Sequence, residues 1–146
     1  MKQVNYFFEG IENCNSKLPA KKWIKGCVTN EGYNVGCLNF IFCSDEYLQA
    51  INKKYLNKSY LTDVISFQQN PQDWSKLGSS RDICGDIFIS IDRVRENKLI
   101  YKTIFGEEIK RVMIHGVLHL LGYNDKNKNQ KEIMRQKESF YIKTKY

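Results

Sequence analysis

The chain has two histidines, and both fall in one stretch: His115-Gly116-Val117-Leu118-His119-Leu120-Leu121-Gly122-Tyr123-Asn124-Asp125. On a helix, residues four apart lie one turn apart on the same face, so both imidazoles can reach one ion. Gly122 stands where helices commonly end in a left-handed residue, a conformation glycine adopts without steric cost. A turn there swings the chain back and brings Asp125 toward the same ion. The pattern H-x-x-x-H-x-x-G-x-x-D has the spacing of the extended zinc-protease motif, with Asp in the third ligand slot. Two histidines and a carboxylate, with a fourth position left to water, form a catalytic zinc arrangement. A lone histidine on an apolar helix is usually a hydrogen-bonded core residue, but here both histidines, a glycine and a carboxylate fall at the offsets one ion needs. His115, His119 and Asp125 are therefore the candidate metal ligands. One zinc ion, or another divalent transition metal, is the expected cofactor.

The same stretch argues against proteolysis. Zinc peptidases place a Glu directly after the first His as general base, and here that position is Gly116. A metal could still acidify bound water and polarise a phosphoryl or carbonyl oxygen. A replacement base must come from elsewhere. Glu108, seven residues before His115 and two turns back on the same face, is the candidate catalytic acid–base group. Its competing role is that of an acid in a helix's first turn, favoured by the dipole.

Charge is distributed unevenly. The chain carries 23 Lys and Arg against 16 Asp and Glu, for a net charge of +7. Residues 1–92 are neutral, with ten of each sign, so the whole excess lies in residues 93–146. Those residues also contain both histidines and Asp125. Bases crowd the flanks of the metal motif, and Arg111, Lys126, Lys128, Lys131 and Arg135 are the candidate contacts for a polyanionic partner. Such an excess draws in phosphates with an affinity that falls steeply with salt. The 19 aromatic residues include possible stacking platforms, although most are better explained as core.

The elements that must position these residues can be read from periodicity. At 146 residues, 42% hydrophobic and 27% charged, the chain is expected to form one soluble domain over residues 1–146. A strand is expected over Val4–Phe8, then a helix opened by Ser16-Lys17-Leu18-Pro19 and running to about Asn30, with Pro19 in its first turn. Val35–Cys43 is nearly all apolar, as in a strand covered on both faces. Ser44-Asp45-Glu46 caps a second helix, and Thr62–Gln69 and Ile83–Ile91 read as strands around a polar loop. Helices follow from Ser90 or Ile91 to about Tyr101, from Glu107 to Leu121, and from Lys128 to about Thr144. The order β-α-β-α-β-β-α-α-α predicts an α/β (α+β) domain, a small mixed four-stranded sheet packed with about five helices. Strand order is not readable at this level. The N-terminus shows no signal-peptide pattern, and no stretch approaches the ~18 apolar residues of a membrane span. Five cysteines without a C-x-x-C pair suit reduced, mostly buried thiols, so a cytoplasmic setting without membrane contact is expected.

At three places the residues resemble one known family. The stretch from His115 to Tyr123 is similar to the signature of the YbeY family, bacterial rRNA-maturation endoribonucleases whose pattern is H-G-x-L-H-L-x-G-Y-D-H. Thr62-Asp63-Val64-Ile65-Ser66-Phe67 resembles its T-D-V-L-S-F strand, and Gly85-Asp86-Ile87-Phe88-Ile89-Ser90 its G-D-I-x-I-S strand. Order and spacing agree over roughly residues 40–140. The resemblance implies a cytoplasmic, zinc-dependent, single-strand-type endoribonuclease acting on ribosomal RNA and the ribosome, in 16S rRNA 3′-end processing and ribosome quality control.

There are two departures. The family's third histidine falls on Asp125 and the Asp before it on Asn124, a Tyr-x-Asp form found in one branch of the family. Carboxylate in place of imidazole lowers the charge of the metal centre by one, which predicts a weaker Lewis acid and an altered metal preference. In addition, the family's phosphate-gripping Arg after the Tyr is Leu56 here, following Tyr55. Another cation must replace it. Otherwise the chain is a ribosome-associated RNA-binding assembly factor whose metal is structural.

Overall fold

The computed structural model describes residues 2–58, 62–69 and 81–146. Its elements run β1 (Gln3–Glu9), α1 (Lys21–Asn30), β2 (Asn34–Cys43), α2 (Asp45–Leu56), β3 (Val64–Gln68), β4 (Asp82–Ser90), α3 (Ile91–Tyr101), α4 (Phe105–Leu120) and α5 (Lys128–Lys143). The mixed four-stranded sheet and five helices are those expected. The loop through Asn70-Pro71 and Gly78-Ser79-Ser80 lies outside the described residues.

In space the strands stand in the order β1-β2-β4-β3. β1, β2 and β4 run parallel, and β3 closes the sheet as an antiparallel edge on β4. Alternation along β4 puts Ile83, Ile87 and Ile89 on one face, which meets Leu38, Phe40 and Phe42 of β2 and the apolar sides of α1, α3, α4 and α5. α2 lies on the opposite face over a smaller cluster of Cys43, Leu48 and Ile65. Away from α2 that face carries a polar row instead: Asn5 donates to Asn39 (2.9 Å), and Asn39 donates to Asp86 (3.0 Å). This corrects the expectation that β2 is covered on both faces. Its second face, with Cys37, Asn39 and Ile41, is only half-buried because one short helix cannot span three strands.

The first helix also departs from expectation. Asn15–Lys17 form a 3₁₀ turn, Leu18 is extended (φ −93°, ψ 153°), and α1 begins only at Lys21. The residue before a proline is pushed out of the helical region, so Leu18-Pro19 separates two turns and does not open one helix. α4 starts at Phe105, two residues earlier than expected, and its nine buried residues make it the central helix of the larger core. Cys14, Cys27 and Cys43 are buried, Cys37 and Cys84 half-buried, and all five are free thiols.

Candidate metal centre

α4 approaches the sheet closely at one point. Gly116 faces β3 and β4, where an added Cβ would lie 2.7 Å from Ile87 Cγ2, 3.0 Å from Val64 Cγ2 and 3.2 Å from Ser66 Oγ. Ser66 Oγ donates to the Gly116 carbonyl at 2.9 Å, fixing the helix against the edge strand. The general-base position of zinc peptidases is therefore filled by the sheet. No glutamate fits there without moving α4, so the case against proteolysis is steric as well as chemical.

With Gly116 turned to the sheet, His115 and His119 share a half-exposed face of α4. The helix then ends as the glycine predicted. Gly122 lies in the left-handed region (φ +101°), its N–H bonds to the His119 carbonyl (3.1 Å), and the Tyr123 N–H bonds to the Leu118 carbonyl (3.0 Å). This is the Schellman closure, and it reverses the chain toward the histidines. The reversal is held from the other side: Tyr123 donates to Glu31 Oε1 (2.7 Å), while Lys137 (3.1 Å) and Tyr141 donate to Glu31 Oε2. α1, α5 and the turn carrying Asp125 are thus tied through one carboxylate.

The outcome is a triangle of donor atoms. His115 Nε2 and His119 Nε2 are 3.0 Å apart, and Asp125 Oδ2 lies 3.4 Å from the first and 3.5 Å from the second. An ion about 2.0–2.1 Å from each of three donors at tetrahedral angles requires donor separations of about 3.3–3.4 Å. The residues fit a zinc-type ion, and His115, His119 and Asp125 form a three-residue cluster with metal-ligand geometry.

One further group completes the arrangement. Glu138, 7% exposed on α5, lies with Oε2 2.6 Å from His115 Nδ1. Accepting the Nδ1 proton leaves the Nε2 lone pair pointing into the triangle, the usual way a carboxylate fixes the tautomer of a metal-binding histidine. Burial pulls the His115 imidazole down, but Glu138, Asp63 and Asp125 outweigh it and hold the imidazole above its usual range. The same three acids draw a cation to the site. Glu138 was not foreseen. Its signal was an acid on the otherwise apolar stripe of α5, between Met134 and Tyr141.

A cleft of about 510 Å³ opens over the triangle, walled by His115, His119, Asp125, Asp63, Ser66 and Lys58, with Leu56 among the lining residues. Leu56 thus brings an apolar side chain to this wall, and Lys58 brings a cation to it. Asp63, also missed as a site residue, lies within electrostatic reach of His115, and burial pushes its carboxyl up.

Glu108 lines a neighbouring cavity with His115 but does not line this cleft. Seven helical residues separate it from His115 by about 10 Å along the axis. Its buried carboxylate accepts from Thr103 Oγ1 (3.1 Å) and Arg111 Nε (3.4 Å). Of the five basic candidates, Arg111 and Arg135 line that same neighbouring cavity. Lys126, Lys128 and Lys131 are exposed at the start of α5 and line neither cavity. They sit at the positive end of a helix with no acid in its first turn.

Among the described residues, no helix is long and apolar enough to cross a membrane. The family model described as Endoribonuclease YbeY matches residues 9–145. The chain is 46% identical to Endoribonuclease YbeY of Karelsulcia muelleri, over 98% of both chains. It is 50% identical to that of Flavobacterium psychrophilum, over 83% of this chain and 81% of the other. The solution structure of TM1509 from Thermotoga maritima shares the fold at TM-score 0.64 and 24% identity, covering 94% of this chain and 86% of the other. The chain belongs to the endoribonuclease YbeY family.

Proposed function

We propose that the chain is a zinc-dependent endoribonuclease of single-stranded type that cleaves ribosomal RNA in the cytoplasm, in 16S 3′-end maturation and ribosome quality control. The observation that carries the hydrolytic part is the donor triangle of His115, His119 and Asp125 clamped by Glu138. Ribosomal RNA as substrate rests on the family likeness and on the basic excess of residues 93–146. A zinc-type ion held at the triangle supplies Lewis acidity toward a phosphoryl oxygen and lowers the pKa of water.

The chain's own residues do the rest. Glu138 keeps His115 in the ligating tautomer, and the Gly122 turn delivers Asp125. Asp63 is placed in the cleft wall to accept a proton from water attacking the phosphodiester. Lys58 faces the cleft that Leu56 leaves without an arginine, and Arg135 with the exposed lysines of α5 attracts the strand. Zinc-loaded protein is expected to cleave single-stranded ribosomal RNA, and a chelator to stop it. His115→Ala and His119→Ala should lose both stoichiometric metal and cleavage. Cleavage retained by the metal-free double variant overturns the mechanism.

Leu56 favours a second reading, a ribosome-associated RNA-binding assembly factor with a structural metal. On that reading the zinc-loaded protein binds ribosomal RNA without chelator-sensitive cleavage.

A further inference from the structure

Next to the metal cleft is a second cavity of about 530 Å³, within the usual size range of small-ligand sites. The two meet along Asp63 and His115, which line both. Its far walls are the end of α3, with Asn97 and Tyr101, and the facing sides of α4 and α5, with Arg111 and Arg135. Tyr101 is 66% exposed, and Leu99, Ile100 and Ile104 beside it in sequence are 68%, 60% and 68% exposed. Of these four exposed side chains Tyr101 is the one that lines the cavity, and it brings an aromatic ring to it.

The charges here are unequally engaged. Glu108 is occupied by Thr103 and Arg111, and Glu138 by His115, with Arg111 Nη1 3.7 Å away. Two of the cavity's three carboxylates are thus answered from within, and the third, Asp63, stands at the border with the metal cleft. Arg135 lines the cavity, is exposed and makes no ion pair among the described residues, so its donors are available. An aromatic face, a guanidinium able to grip phosphate in a two-pronged manner, and the amide of Asn97 together match the parts of a nucleotide.

We propose that this cavity is a nucleotide subsite. It takes the nucleoside of the RNA strand next to the phosphodiester at the metal centre, with its base against Tyr101 and its phosphate on Arg135. This rests on the endoribonuclease reading, and it gives the strand a direction across the protein: from the cleft, past His115, toward the end of α3.

The test uses zinc-loaded protein and a short, fluorescently labelled single-stranded oligoribonucleotide. Equilibrium binding is measured by anisotropy on ice, and steady-state cleavage is measured separately. Tyr101→Ala is expected to weaken binding and raise KM about tenfold, the loss of one base-stacking contact. Its kcat should stay within about twofold. Tyr101→Phe should restore wild-type KM, since the ring and not the hydroxyl is used. Arg135→Ala should weaken binding and reduce the salt slope of log Kd by about one, with Arg135→Lys intermediate. Both side chains are exposed, so unchanged thermal unfolding should verify intact folding. Wild-type binding by both Tyr101→Ala and Arg135→Ala overturns the subsite. A wild-type protein that binds the oligonucleotide without metal-dependent cleavage overturns the endoribonuclease reading instead, and the binding arm still decides the subsite.

Discussion

Glu138→Gln tests the organisation of the metal centre with the least disturbance of shape. Gln has the size of Glu, and its amide oxygen can still accept from His115 Nδ1, so no cavity forms. What changes is the charge behind a 2.6 Å contact. Hydrogen bonds to charged groups contribute about 1.5–3 kcal/mol, against about 0.5–1.5 for neutral pairs. The difference of about 1–1.5 kcal/mol is roughly tenfold in metal affinity, the lower end of the range for partners behind metal ligands. Arg111 loses its 3.7 Å partner but keeps Glu108; at 31% exposure that loss is worth less than about 1 kcal/mol. Competition titration against a chromophoric chelator should therefore show zinc bound about tenfold more weakly. Thermal stability without metal should fall modestly, because the contacts of Glu138 to His115 and Arg111 are present without the ion, while the stabilisation by excess zinc should fall by a further ~1.4 kcal/mol. A zinc Kd within about twofold of wild type in the folded variant would refute the role given to Glu138.

Three other outcomes follow from the same contacts. Gly116→Ala should destabilise the fold by about 1–2 kcal/mol, because crowding against Ile87 and Val64 outweighs the ~1 kcal/mol of helix propensity gained; differential scanning calorimetry should show a melting point lower by several degrees. Tyr123→Phe removes the bond from the Asp125 turn to Glu31, and should weaken zinc binding severalfold while His115 and His119 remain in place, as read by the same chelator competition. Glu31 also sets an acid limit. Burial raises its carboxyl, but bonds from Tyr141, Tyr123 and Lys137 prevail and hold it below the usual carboxylate range. A depressed carboxyl contributes stability that is present above its unfolded pKa of about 4.5 and is lost as pH falls through its lower folded value. Chemical denaturation of metal-free protein below about pH 4.5 should show this loss, and Glu31→Gln should flatten it.

Local patterns decided the candidate ligands. His115 and His119 recur at one helical turn, and Gly122 can reverse the chain without strain, so helix geometry alone brings three donors toward one point. The strands and the order of the helices were legible for the same reason, because alternation and the 3.6-residue period are local properties. Pro19 was misplaced because two local rules compete there, and the restriction on Leu18 prevailed over the tolerance for proline in a first turn.

What the sequence did not reveal depends on contacts far apart in the chain. Nothing local places β4 between β2 and β3, and that insertion sets Gly116 against Ile87 and Ser66, orienting the histidines outward. Glu138 reads locally as an ordinary acid on an amphipathic helix; only the packing of α5 on α4 puts it behind His115. The residues of the strongly basic last third likewise took different roles. Lys137 is spent on Glu31, Arg111 is shared between two carboxylates, and Arg135 is left facing a cavity. Composition counts charges, but the tertiary structure determines which are neutralised at short range and which remain for a phosphate.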